Sequence, residues 1–200
     1  MTEPQDRREL IVATAAEMFA RKGIKAITVR EIAAAGGVLS GSLYHYFKSK
    51  DEIVQEILVE FLEETRARYA EVLGRGDGVA ETLRELVLAS LRGASQRPYA
   101  TAIYQNQLQC LIDRPESKEG SAEVRRVWLE LIARGVAEGV FRDDISPRVF
   151  CRLVRDAVWM SWRDQHSDKR YSIEQLADAI TSVFLDGFVA RPDRVTANAL

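Results

Sequence analysis

Apolar residues recur three and four apart along almost the whole chain, and nowhere do they alternate in steps of two, so the pattern predicts helices throughout. Leu10, Ile11, Thr14, Ala15, Met18 and Phe19 share one face of a first helix that stops at Gly23. Val29, Ile32 and Ala33 give a short second helix its apolar side, Gly36-Gly37 break it, and Leu43 and Phe47 mark a third. After Ser49 a long fourth helix carries Ile53, Ile57, Leu58, Phe61, Leu62 and Tyr69 and ends in the loop Gly74-Arg75-Gly76-Asp77-Gly78. Val79 to about Ser95 follows with Leu83, Leu86, Val87 and Leu91 on one face. Pro98 opens a sixth helix through Tyr104 and Leu108, closed before Pro115. The seventh starts near Ser117 and carries Val124, Val127, Trp128, Leu131 and Ile132 to about Gly139. Ser146-Pro147, a cap and then proline at the first helical position, starts an eighth helix that is apolar nearly all round. Its residues include Phe150, Leu153, Val154, Ala157, Val158, Trp159, Met160 and Trp162. The ninth carries Leu176, Ile180, Val183, Phe184 and Phe188, and the tail from Pro192 is expected to fray. The fold class predicted is all-α with about nine helices.

Local chemistry sharpens the stretch from Thr28 to Lys50, TVREIAAAGGVLSGSLYHYFKSK. Thr28 with Glu31, Ser49 with Glu52 and, far downstream, Ser172 with Gln175 have capping-box spacing. The outward residues of the third helix are small or hydrogen-bonding: Ser40, Gly41, Ser42, Tyr44 and His45. A short helix with such a leading end can enter the major groove of DNA, as a helix-turn-helix reader must. Ser40 and Ser42 are placed for base edges, although serine alone specifies little. Lys48 and Lys50, beside a capped helix start, suit phosphates. Thr28 and Tyr44 offer hydroxyls for the same contact, and His45 can donate to a phosphate or a base edge. Arg30 faces outward near the start of the second helix, for phosphate or for solvent.

This stretch resembles the N-terminal domain of the TetR/AcrR family of bacterial transcriptional regulators, through Thr28, Val29, Ile32, Ala33, Gly37, Val38 and the run from Gly41 to Lys50. The resemblance implies a three-helix DNA-binding head at residues 1–50 and a six-helix ligand-binding and dimerisation body at 51–200. It also implies a homodimer on a palindromic, double-stranded operator, released by a small-molecule effector. One position departs from the family pattern: Leu39 stands where Ser or Thr usually caps the reader helix. Either Ser40 caps instead, or the helix starts uncapped and Ser40 is free to face a base.

Charge and composition change the picture modestly. The chain carries a net −2, but residues 1–50 hold eight Lys or Arg against five Asp or Glu, a local +3 on an acidic remainder. A weakly basic head suits phosphate contact without general adhesion to nucleic acid. No apolar run reaches the roughly 18 residues of a membrane span, and MTEPQDRREL has no apolar core of a secretory signal. Cys110 and Cys151 have no ligand-like spacing and read as buried thiols of a cytoplasmic protein. With His45 in the reader helix and His166 in a polar loop, no histidine-based catalytic cluster, metal set or cofactor motif stands out, and no enzyme is expected.

Two constellations suit an effector. Tyr104 and Gln105 bring hydrogen-bonding groups into an apolar helix, the alternative being a peripheral polar patch. Arg155 and Trp159, four apart, share a face on which a cation sits beside an aromatic. The alternative there is an arginine paired with a carboxylate such as Asp156. The runs from Leu39 to His45, Ile103-Tyr104-Gln105 and Arg155-Asp156-Ala157-Val158-Trp159 are similar to actinobacterial repressors of sterol-ring degradation. That narrower resemblance implies a CoA thioester as effector, with the Arg and Trp in its site. Arg163-Asp164-Gln165-His166-Ser167-Asp168 departs from the sequence those relatives have next. A repressor of drug efflux sensing cationic lipophiles and a nonspecific architectural DNA binder stay open as rivals. The dimer seam is expected in the last two helices, through Ile180, Val183, Phe184 and Phe188.

Overall fold

The computed structural model describes residues 4–107, 115–168 and 171–188, and the side chains of 6–106, 117–163 and 171–187. Among the described residues the regular elements are nine α-helices and one 3-10 turn. The helices are α1 (Pro4–Lys22), α2 (Val29–Ala35), α3 (Ser40–Tyr46), α4 (Lys50–Leu73), α5 (Val79–Gln96), α6 (Pro98–Gln107), α7 (Pro115–Ala137), α8 (Pro147–Asp168) and α9 (Ile173–Phe188). The turn, Ile24–Ala26, joins α1 to α2. The expected all-α order therefore holds. α7 begins at Pro115 rather than near Ser117, because proline is well suited to the first position of a helix. The expected passage of the sixth helix through Leu108 lies outside the described residues, as do Cys110 and the side chains of His166 and Phe188. No helix among the described residues is long and apolar enough to cross a membrane.

Packing groups the chain into two compact units, Met1–Glu64 with Arg97–Ser121 and Thr65–Gln96 with Ala122–Leu200. In the first, α1 packs on α2 and α6, and α2 on α3. Its core holds Ile11, Phe19, Ile27, Ile32, Leu43, Phe47, Ile53 and Leu58, all nearly or fully buried. Arg97, just before α6, bonds both oxygens of Glu64 and also pairs with Glu60 on α4. In the second unit α5, α8 and α9 pack on one another. Tyr69 and Trp128 meet edge to face there, 6.0 Å apart. Trp128 Nε1 donates to the Tyr69 hydroxyl at 3.2 Å, and that hydroxyl lies 2.7 Å from Ser90 Oγ. A buried polar chain of this kind is tolerable because each member has a partner.

Candidate nucleic-acid interface and effector face

The head is built from local signals. Thr28 adopts an extended conformation at the N-cap of α2, its hydroxyl accepts from Glu31 N–H, and the Glu31 carboxylate accepts from Thr28 N–H at 2.7 Å. The Thr28 hydroxyl also donates to that carboxylate at 2.7 Å, and this bond first, then the one from Thr28 N–H, holds the Glu31 carboxyl below its ordinary range. Gly37, at φ +64, takes the left-handed conformation that closes α2 and that glycine adopts without steric cost. α3 then starts uncapped: Leu39 is its N-cap and makes no side-chain bond to the first turn. The second of the two openings at Ser40 is the one the structure shows. At α4, Ser49 Oγ accepts from Glu52 N–H, while the Glu52 carboxylate reaches one residue further back, to Lys48 N–H.

α3 hides Leu43 and turns the rest of its surface outward. Gly41, Tyr44 and His45 are exposed, Ser40 and Ser42 half-buried. Thr28, Arg30 and Lys48 are exposed as well. Lys50 differs: its half-buried ammonium donates to the carbonyls of Ile24 and Ile27, both at 2.7 Å. An ammonium has three N–H donors, so one is left for a phosphate.

A clamp that the sequence did not suggest fixes α3 from behind. Arg8 of α1 donates from Nη1 to the carbonyl of Tyr46 at the end of α3, at 2.9 Å. Its Nε and Nη2 donate to the two carboxylate oxygens of Glu56 on α4. The guanidinium also lies 4.3 Å from the centre of the Phe47 ring. Glu56 raises the Arg8 pKa above its already high value. In sequence, Arg8 is one charge in an exposed-looking run and offers no sign of this.

The effector candidates fall in different units. On α6, Tyr104 is buried, its hydroxyl 3.0 Å from Ser121 Oγ and its ring 5.4 Å from Phe61. Half-buried Gln105 keeps a buried Nε2 with no hydrogen-bond partner among the described residues. On α8, Arg155 and Trp159 are both half-buried. The neighbour of Arg155 is the buried thiol of Cys151, which burial raises in pKa and Arg155, then Arg125, pulls back. Among the described residues Arg155 has no ion pair with a carboxylate, Asp156 included.

The four residues expected at the dimer seam separate. Ile180 is only 7% exposed and is used inside its own unit, so it is not available to a partner chain. Phe184 is half-buried, edge-on to Phe150 at 5.6 Å. Val183 stands 72% exposed. α8 adds Val149, Leu153 and Met160, each at least 40% exposed and spaced along one stripe; their four- and seven-residue spacing was the signal for them in the sequence.

A three-helix head with a buried back and an exposed, small-faced third helix defines a helix-turn-helix DNA-binding regulator. Residues 11–57 match the family of bacterial regulatory proteins named for tetR, and residues 76–188 match the tetracyclin repressor-like C-terminal domain. The chain belongs to the TetR family of bacterial regulatory proteins. It is 36% identical to the HTH-type transcriptional repressor KstR2 of Mycolicibacterium smegmatis over 189 residues, 93% of this chain and 92% of that one. The structure of the ketosteroid transcriptional regulator KstR2 of Mycobacterium tuberculosis superposes with a TM-score of 0.84 at 32% identity, covering 94% of this chain and 98% of the other. AibR, in complex with isovaleryl coenzyme A and operator DNA, shares the fold at a TM-score of 0.78 and 19% identity, covering 88% and 97%.

Proposed function

We propose that this regulator is a homodimeric repressor that binds a two-fold operator and leaves it when an anionic acyl thioester, a CoA thioester, occupies the body. Residues 1–50 read DNA and residues 51–200 bind effector and dimerise. Thr28, Arg30, Tyr44, Lys48 and the spare donor of Lys50 hold phosphates, while Ser40, Ser42 and His45 face base edges and Gly41 lets the backbone come close. The repressor names of the relatives support the direction of control. Val183 and Phe184 of α9, with Val149, Leu153 and Met160 of α8, form the seam, since an exposed apolar stripe of this length needs a cover. Each head reads one half-site.

The observation that carries the effector class is Arg155. It is a half-buried arginine against a buried thiol, four residues before half-buried Trp159 on α8, with no carboxylate pairing it among the described residues. Such a cation suits an anionic, partly apolar ligand and repels a cationic one. The effector acts by binding better to a conformer that does not fit the operator, because only a difference in affinity shifts the balance.

The test is operator release in a gel-shift assay with CoA thioesters and, separately, cationic lipophiles, comparing the wild type with Arg155→Met. Release by thioesters, weakened at least tenfold in Arg155→Met with operator affinity unchanged, supports the reading. Release by cationic lipophiles alone would favour the drug-efflux rival. DNA binding with no base preference and no release would favour the architectural one.

A further inference from the structure

Two features at the leading edge of α3 are unused by the protein's own packing. Leu39 is 79% exposed, the most exposed large apolar side chain among the described residues. It also supplies no cap to the first turn of the helix. A serine or threonine there would satisfy a backbone N–H, and a buried leucine would gain from leaving water. This leucine does neither. Two residues on, Gly41 is exposed and has no positive φ, and a Cβ added to it would meet nothing within 4 Å. Glycine inside a helix is less stable than alanine, so neither the backbone nor any internal neighbour explains its presence.

Both residues are accounted for if something outside the chain comes close to this edge. In a helix-turn-helix that something is the floor of the major groove, which the first residues of the reader helix approach. The base edges there are polar with one exception, the C5-methyl group of thymine. We propose that Leu39 packs against a thymine methyl in each operator half-site, and that Gly41 gives the α3 backbone the clearance to seat it. Leu39 is then a specificity-determining residue that selects thymine over cytosine at one position per half-site. The hydroxyls of Ser40 and Ser42 add hydrogen bonds that many bases can satisfy. The inference rests on the reading that α3 enters the major groove.

The experiment begins by selecting the preferred operator from random duplexes with the full-length protein. Each symmetric pair of thymines is then replaced by deoxyuridine, which removes the methyl and keeps every hydrogen-bonding group. Loss of one buried methyl is expected to weaken binding about fourfold, hence about 15-fold for the symmetric pair. One pair of positions should show this loss in the wild type, and Leu39→Ala should bind the thymine and uracil duplexes alike. Because Leu39 is exposed, the variant is expected to keep the wild-type circular dichroism and melting curve. Gly41→Ala should weaken binding to the same operator without lowering thermal stability. A selected operator with no thymine in its half-sites, no effect of uracil at any position, or an equal loss in Leu39→Ala would overturn the proposal while leaving α3 as the reader. Failure of the full-length protein to select any sequence would instead remove the reading beneath it.

Discussion

Replacing Lys50 by methionine keeps the length of the side chain and removes only its ammonium. In the wild type that group donates two 2.7 Å hydrogen bonds, to the carbonyls of Ile24 and Ile27, from a half-buried position. Hydrogen bonds made by a charged group contribute roughly 1.5–3 kcal/mol each. Partial exposure and overlap between the two place the sum near the low end, at about 2–3 kcal/mol. The loss falls on the 3-10 turn Ile24–Ala26 and on Thr28 just beyond it, which caps α2. If the loosening stays local, amide exchange there should quicken about 30- to 150-fold, one decade for each 1.4 kcal/mol. The third N–H gives a separate signal. Each lost phosphate contact lowers the slope of log affinity against log salt by about 0.9, hence by about 1.8 for a dimer with two Lys50 residues. Hydrogen exchange over residues 24–31 reads the first effect, and operator binding between roughly 50 and 200 mM salt reads the second. Unchanged exchange would refute the tether. Weaker binding with an unaltered salt slope would assign Lys50 to holding the head together and deny it a phosphate.

Further outcomes follow from burial and charge. Val183→Asp should leave a folded chain, because the side chain is 72% exposed, yet give monomers in sedimentation at micromolar concentration; a variant that stays dimeric would move the seam away from α9. The Glu31 carboxyl titrates below its ordinary 4.5 in the folded head. Its contribution to the α2 cap is therefore full above that value and is lost as pH falls through the lower, folded value. Exchange protection of α2 should accordingly be flat from about pH 7 to 5 and drop only in more acid solution; loss near pH 6 would contradict the capping box as its cause.

What could be read from the residues and what could not divides by range. Thr28 with Glu31 and Ser172 with Gln175 close within four residues, and both capping boxes form as spaced. Gly37 supplied its turn for the same reason. The uncapped start at Leu39 was visible as a missing hydroxyl, but how far that leucine stands in solvent depends on what packs around α3. Lys50 looked like a simple phosphate ligand because its partners, Ile24 and Ile27, lie more than twenty residues away and offer only backbone carbonyls. Ile180 and Val183 are three apart and equally apolar in sequence. Periodicity gave the width of the α9 face, and only packing on α5 and α8 shows which edge is turned inward. Of the effector candidates, the pairing of Tyr104 with Ser121 and the lack of a carboxylate on Arg155 among the described residues both rest on tertiary neighbours.

The grip of Arg8 bears on how readers of this kind can be exchanged between relatives. A chimaera that grafted residues 1–50 onto another body would part Arg8 from Glu56, leaving a guanidinium against Phe47 and the Tyr46 carbonyl without its counter-charge. It would also replace Ile53, Val54 and Ile57, which are buried in the same compact unit as Leu43 and Phe47. The transplantable reader therefore runs from Arg8 to at least Ile57, and a junction placed inside the first two turns of α4 would carry the residues proposed to face DNA while losing the Glu56 partner of Arg8.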